Sequence, residues 1–93
     1  MFDNILQRMR NKVRTGAYVM TLHADEEIDA EELSVFDVER CVLTGKIIER
    51  QKDRQTSETK YRILGSMVCG DPMEVIAKLG PTGRLFIITA YSV

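Results

Sequence analysis

The sequence predicts an α+β domain in which N-terminal helices pack on one antiparallel sheet of about four to five strands. Apolar residues recur at three- to four-residue spacing in the first half of the chain, as on one face of an amphipathic helix. In the second half, short segments rich in β-forming residues are separated by turn sequences. The chain has 93 residues, which suffices for one hydrophobic core. We therefore predict a single domain over residues 1–93, with its helices gathered on one side of the sheet.

The first element is predicted to be an amphipathic helix over about residues 3–14, within an N-terminal segment of residues 1–16. Basic residues occupy much of the remaining surface and lie near the C-terminal end, where they offset the helix dipole. Gly16 is predicted to end the helix. Packing on the sheet explains the apolar stripe better than membrane association, because the stripe is short and tryptophan is absent. The stripe consists of Phe2, Ile5, Leu6, Met9 and Val13.

A short strand is predicted over residues 17–23, because this segment is dense in β-forming residues. His23, the only histidine in the sequence, would then lie at the end of this strand. An acidic stretch follows, with eight carboxylates between residues 25 and 39 and no cation among them. Both a short solvated helix, whose acids favour its own N-terminus, and a docking face for a basic partner fit this stretch.

A further helix is predicted to begin near Val35, because Ser34 and Asp37 have the spacing of a capping box. Gly45 follows the last residue of the helical pattern, where we predict a left-handed C-cap. The inward positions are predicted to be Val35, Val38 and Val42, flanked by Phe36, Cys41 and Leu43.

Four strands are predicted after this helix, over residues 46–52, 59–65, 73–79 and 84–91. A polar loop at residues 55–58 and turn sequences at residues 69–72 and 80–83 join them, so the four strands should form a meander. The last strand is apolar on both faces, which places it in the interior of the sheet. Spacing does not identify the neighbour of the short first strand.

Composition excludes several classes of protein. No apolar run approaches the ~20 residues of a membrane span, and Asp3 stands where a secretory leader would be basic. We therefore expect a cytoplasmic protein in which Cys41 and Cys69 are reduced. One histidine and two separated cysteines lack the ligands of a zinc site, and neither a calcium loop nor a phosphate-binding glycine loop is present. We expect no metal and no cofactor.

Five motifs follow one another along the chain: His23-Ala24, the helix start at residues 34–38, the segment 43–49, the strand residues Lys60-Tyr61, and the final segment 87–91. Together they resemble the bacterial family catalogued as domain of unknown function 4258, over about residues 17–91. The resemblance implies the RelE-like fold and the RelE-like toxin superfamily, which consists of small ribonucleases from toxin–antitoxin pairs. Relatives with a similar acidic stretch resemble the toxin partner of a YgiT-type zinc-finger antitoxin. The resemblance therefore implies a protein antitoxin as partner.

The chain departs from many of these relatives at two positions, where Glu27 and Glu31 stand in place of arginines. Inverting both charges removes two phosphate contacts, so an RNA site must rely on the strands.

The resemblance implies RNA cleavage without a metal, which needs a base for the 2′-hydroxyl, cations for the phosphorane and an acid for the leaving oxygen. His23 carries the side chain whose ordinary pKa lies near neutrality. The predicted catalytic residues are His23, Lys60, Arg62 and Tyr91. The predicted RNA-binding residues are Arg50, Lys52, Tyr61, Lys78 and Arg84. The formal net charge of −1 argues against strong nonspecific binding, but a local basic face can still act.

Structural alternatives accompany these assignments. His23 could cap a junction between strand and helix, strand-edge cations can simply block aggregation, and the tyrosines can belong to the core. The alternative function is a noncatalytic interaction module of the same fold, with Glu27, Glu31 and Glu32 binding a basic partner. A homodimer is compatible with the sequence. A nucleophile pair of His23 with one of the two cysteines is disfavoured.

Overall fold

The computed structural model describes residues 3–56 and 58–93. Phe2, predicted in the first helical stripe, and Ser57, predicted in the polar loop, lie outside the described residues. The elements in chain order are α1 (Asp3–Arg14), β1 (Tyr18–Met20), α2 (Leu22–Ala30), α3 (Val35–Thr44), β2 (Lys46–Lys52), β3 (Thr59–Ser66), β4 (Pro72–Leu79) and β5 (Leu85–Ser92). The predicted α+β class is confirmed.

The strands form one five-stranded sheet in the order β1-β5-β4-β3-β2. β2, β3, β4 and β5 pair antiparallel, as the predicted meander requires. β1 pairs parallel to β5, so the sheet is mixed rather than wholly antiparallel. β5 lies between β1 and β4, which confirms its predicted interior position.

β1 is shorter than the predicted strand because a helix begins directly after it. The Thr21 hydroxyl accepts a 3.2 Å hydrogen bond from the Ala24 N–H and thereby caps α2. The same hydroxyl donates a 3.0 Å hydrogen bond to the Ile88 carbonyl on β5. His23 therefore lies in the first turn of α2 and not at the end of a strand.

The three helices bury their apolar sides against one face of the sheet. From α1 the buried residues are Leu6, Met9 and Val13, as the stripe predicted. Met9 and Val13 belong to the hydrophobic core, whose other members come from α2, α3 and the strands and include Ile28, Val42, Ile63, Met73, Val75 and Ile87. Arg10 of α1 fixes the contact between helices α1 and α3, because its Nη2 donates a 2.8 Å hydrogen bond to the Gly45 carbonyl beyond the end of α3.

α3 begins at Val35 with a complete capping box between Ser34 and Asp37, as predicted. Two details of the predicted helix are wrong. Phe36 does not face inward, since 67% of it is exposed. Gly45 is not left-handed but extended, with φ −88°.

Gly45 is required for a different reason, which is the close approach of α3 to β3. A Cβ on Gly45 would lie 2.5 Å from the carbonyl oxygens of Cys41 and Leu64, and a Cβ on Gly65 would lie 2.3 Å from the same Cys41 oxygen. The two glycines together let the end of α3 rest directly on the sheet. Among the described helices, none is long and apolar enough to cross a membrane.

Candidate functional site

The face of the sheet turned away from the helices, called the open face below, carries alternate side chains of each strand. On β3, Ile63 is buried and Tyr61 packs against the core on the helix side. Lys60 and Arg62 therefore lie on the open face. Glu49 of β2 is the register partner of Arg62, and it lies on the same side.

Four polar side chains form a continuous row across the open face, from β2 to β5. Arg62 Nε lies 3.2 Å from Glu49 Oε1, and Arg62 Nη1 lies 3.4 Å from Glu74 Oε1. The Tyr91 hydroxyl donates a 2.7 Å hydrogen bond to the same Glu74 oxygen. We call Glu49, Arg62, Glu74 and Tyr91 the cross-strand row.

Accessibility differs along the cross-strand row. The side chains of Glu49 and Arg62 are 44% and 35% exposed, whereas that of Glu74 is 12% exposed. A ligand on the open face can therefore reach Glu49 and Arg62 directly. The more buried Glu74 holds Arg62 and Tyr91 in position, because it contacts both of them.

The row keeps both Arg62 and Tyr91 protonated. The hydrogen bond to Glu74, together with partial burial, raises the pKa of Tyr91 although the nearby Arg62 opposes the shift. Desolvation acts against the charge of Arg62, but the hydrogen bond with Tyr91 and the charges of Glu49 and Glu74 outweigh it, so the pKa of Arg62 is raised. The row thus offers a carboxylate, a permanent cation and a phenolic proton donor in sequence.

Sequence reasoning identified Arg62 and Tyr91 but missed Glu49 and Glu74. The register of β2 shifts between Ile47 and Glu49, which interrupts the alternation of sides along this strand. An acidic residue paired with Arg62 on the neighbouring strand would have indicated Glu49. The sequence alone does not give the β2–β3 register, so this partner could not be identified.

A cavity of about 820 Å³ lies at the end of the sheet where the β2–β3 and β4–β5 connections meet. Lys60, Tyr61 and Lys78 line it, together with Arg8 and Phe86, which the sequence had not singled out. Lys78 Nζ lies 2.9 Å from Glu58 Oε2 and 5.8 Å from the centre of the Phe86 ring. The cavity therefore combines cations with aromatic surface.

The remaining predicted RNA-binding cations lie elsewhere. Arg50 is the register partner of Tyr61, and Lys52 that of Thr59. Since Tyr61 packs on the helix side, alternation places Arg50 and Lys52 on that side rather than on the open face. Arg84 is exposed in the β4–β5 turn.

His23 is not part of the cross-strand row. Its side chain is 67% exposed on α2, and its Nε2 lies 3.1 Å from Glu27 Oε1 one turn along the same helix. Within the described residues, His23 and Glu27 do not line the cavity at the end of the sheet. The structure therefore brings Lys60, Arg62 and Tyr91 to the open face and places His23 on the helix beyond it.

Among the described residues, four of the eight carboxylates in the acidic stretch have side-chain or backbone partners. Glu27 pairs with His23, and Glu31 accepts hydrogen bonds from the backbone and hydroxyl of Ser92. Asp37 accepts from Ser34 and Val68. Glu39 accepts a short hydrogen bond from the Tyr18 hydroxyl. The acidic stretch is thus partly structural, and the predicted partner-binding residue Glu32 remains exposed.

The two cysteines differ in accessibility, since Cys69 is exposed. Cys41 is buried, and burial raises the pKa of its thiol to about 12, which disfavours the thiolate that a nucleophile requires. Within residues 3–56 and 58–93, no group of three or more histidine, cysteine and acidic side chains is arranged to hold a metal ion.

A family model described as Domain of unknown function (DUF4258) matches residues 20–92. Neither the curated proteins nor the solved structures contain a match. The matched region includes α2, α3 and strands β2 to β5, and α1 precedes it.

Proposed function

This chain belongs to the DUF4258 family, and on that premise we propose that it is a toxin-like ribonuclease that cuts RNA on its open face without a metal. A protein antitoxin, of the zinc-finger type that the sequence resemblance implies, silences it. Both the substrate and the antitoxin belong to the cytoplasm. The observation that carries the proposal is the cross-strand row, in which a carboxylate, a cation and a proton donor lie side by side.

The cross-strand row contains a residue for each chemical role in RNA cleavage. Glu49 accepts the proton of the 2′-hydroxyl, and the 2′-oxygen attacks the adjacent phosphorus. Arg62 binds the nonbridging oxygens, whose charge increases as the phosphorane forms. The bond from phosphorus to the 5′-oxygen breaks while Tyr91 donates its proton to that oxygen. The products are a 2′,3′-cyclic phosphate and a 5′-hydroxyl.

Glu49 fits the role of base better than His23 in this arrangement. The Glu49 carboxylate lies against Arg62, at 3.2 Å, so a phosphate held by Arg62 is within its reach. His23 pairs with Glu27 on α2 instead. Phosphate binding loosens the contacts of Arg62 with its carboxylates, which frees Glu49 to act.

The cavity at the end of the sheet extends the substrate site beyond the scissile phosphate. Lys60 and Lys78 provide charge for neighbouring phosphates, and the Phe86 ring beneath Lys78 provides a surface on which a base can stack. Single-stranded RNA, whose bases are free to stack, is the substrate that such a cavity favours.

The test is cleavage of single-stranded RNA by the purified protein in excess chelator. We expect Glu49→Gln and Arg62→Ala each to lower the rate at least 100-fold, and Tyr91→Phe to lower it roughly tenfold to 100-fold. Arg50→Ala is the matched control for Arg62→Ala, because Arg50 is also a strand arginine but lies on the other side of the sheet. An otherwise identical substrate with a 2′-deoxy nucleotide at the cleavage site should remain intact.

Four results would contradict all or part of the proposal. RNA that stays intact with the unmodified protein rules out the enzyme, and cleavage of the deoxy substrate rules out 2′-hydroxyl attack. Equal losses in Arg50→Ala and Arg62→Ala would mean that the open face is not the site. If His23→Ala alone abolishes cleavage, the base is His23 and the assignment of Glu49 is wrong.

The second candidate is a noncatalytic interaction module, which the exposed acids of α2 favour. Asp25, Glu26 and Asp29 are exposed, and their charge suits a basic partner. Expression of the chain alone separates the two functions. Growth arrest that Arg62→Ala relieves supports the ribonuclease, whereas unaffected growth and intact RNA support the module.

A further inference from the structure

A second surface feature, away from the open face, is a groove between the end of α2, the first turn of α3 and the β3–β4 hairpin. Its volume is about 840 Å³. We call it the acidic groove. Its apolar lining includes Leu33, Phe36, Met67 and Val68, and its acidic lining includes Glu32 and Asp71.

Two large apolar side chains in the acidic groove are exposed to water. Phe36 is 67% exposed and Val68 is 61% exposed. Neither contributes to the buried core of the described residues. Phe36 and Val68 line the same groove beside acidic residues, and contiguous exposed apolar surface with a polar rim marks interaction sites on soluble proteins.

The walls of the acidic groove are held together by hydrogen bonds, so the groove is formed before anything binds. Asp37 Oδ1 accepts a 2.8 Å hydrogen bond from the Val68 N–H, which ties the β3–β4 hairpin to α3. Its other oxygen accepts from the Ser34 N–H at 2.9 Å. Glu31 ties the end of α2 to Ser92 in the same way. A preformed groove lowers the entropy cost of binding.

The charge of the acidic groove has a single sign. Glu31, Glu32, Asp37 and Asp71 line it, and no lysine, arginine or histidine does so within the described part of the chain. Glu31 and Asp37 are engaged in the hydrogen bonds above. The Glu32 carboxylate has no partner among the described residues, and its backbone adopts φ 58°, a conformation that glycine or asparagine would adopt more easily.

We propose that the acidic groove binds a basic amphipathic segment of a protein partner. A large apolar side chain of that segment packs between Phe36 and Val68, and its lysines or arginines lie against Glu32 and Asp71. A second copy of this chain is a poorer occupant, because two-fold pairing would place one acidic rim on the other. This inference does not depend on RNA cleavage, since the acidic groove and the cross-strand row share no residue.

The experiment is selection of random 16-residue peptides, displayed on phage, against the folded protein. We expect the enriched peptides to be net positive and to carry at least one large apolar residue. Synthetic copies should bind with micromolar affinity, as measured by fluorescence anisotropy. Phe36→Ala and Glu32→Lys should each weaken this binding at least tenfold, and added salt should weaken it further.

Two control variants test whether the loss of peptide binding is specific to the acidic groove. Leu22→Ala removes another exposed apolar side chain, which is 74% exposed at the start of α2, and Asp3→Lys inverts an exposed acid of α1. Neither should change the affinity more than twofold. Circular dichroism checks that every variant is folded.

Several outcomes would overturn the inference. These are no enrichment, enrichment of neutral or acidic peptides, and equal weakening by Leu22→Ala and Phe36→Ala. Sedimentation equilibrium provides a further arm, in which a homodimer that Phe36→Ala dissociates would show that a second copy covers the groove instead.

Discussion

Replacing Gly65 by alanine should strongly destabilise the protein, because α3 rests directly on β3 at this point. The added Cβ would lie 2.3 Å from the Cys41 carbonyl oxygen and 2.9 Å from the Cys41 Cα. Both atoms belong to the helix backbone, so no side-chain rotation can relieve the contact. The end of α3 must move away from the sheet by roughly 1 Å to restore a normal contact distance.

Two opposing effects determine how much free energy of unfolding the Gly65→Ala variant loses. Overpacking a well-packed core costs about 1–3 kcal/mol, and alanine gains back roughly 0.5–1 kcal/mol because glycine loses more backbone entropy on folding. Since α3 is attached to the sheet and to α1, its displacement also loosens its own buried residues. We expect a net loss of about 2 kcal/mol in the free energy of unfolding, or a fall of roughly 8–16 °C in Tm for a domain of this size.

Urea unfolding followed by circular dichroism measures this loss. Gly16→Ala is the comparison, because a Cβ there meets nothing within 4 Å and only its φ of 72° is unfavourable. That variant should lose about 1 kcal/mol, the ordinary cost of a left-handed alanine. A Gly65→Ala protein as stable as the unmodified one would refute the close approach of α3 and β3.

Three further predictions concern titration and reactivity. Burial and a hydrogen bond to a carboxylate raise the pKa of Tyr18 to about 12. The stability that Tyr18 provides is therefore present below pH ~10 and is lost as the pH rises towards 12. In a pH titration followed by absorbance at 295 nm, the Tyr18→Phe variant should lack the tyrosine that ionises at the highest pH. Hydrogen bonds from Ser34 and then Val68 lower the pKa of Asp37, so its contribution is present above pH ~4 and is lost as the pH falls through the folded value. Asp37→Asn should cost about 1 kcal/mol at pH 7, and urea titrations between pH 5 and pH 3 should show a smaller dependence on pH. Cys41 is buried and Cys69 exposed, so a thiol reagent should modify one thiol quickly and the second only on unfolding; two fast thiols would contradict the buried position.

Local signals predicted most of the fold. The capping box of Ser34 and Asp37 gave the start of α3, and the apolar stripe of α1 gave its buried side, because both depend on residues within one or two helical turns. The strands of the meander were predicted for the same reason, since short turns join them. The capping role of Thr21 was available in the sequence as well, but the β-forming residues before it concealed the start of α2.

The errors and omissions concern contacts between distant parts of the chain. The pairing of β1 with β5 joins segments more than sixty residues apart, and no local pattern encodes it. Gly45 was identified as a helix end, but the reason for glycine is the nearby Leu64 carbonyl on β3. In the candidate site, Arg62 could be predicted from its charge on a strand, whereas Glu49 became visible only through the strand register.

The position of β5 affects how the protein can fold during synthesis. β5 lies between β1 and β4, yet the ribosome makes it after all the other described strands. Until β5 emerges, β1 has no partner, β4 has an unpaired edge, and the buried side chains of Leu85 and Ile87 are missing from the core. The nascent chain can therefore form its helices and the β2–β3–β4 meander early, but the completed sheet and its cross-strand row must wait for this final strand. The growing polypeptide therefore has no activity of the open face until β5 has been synthesised.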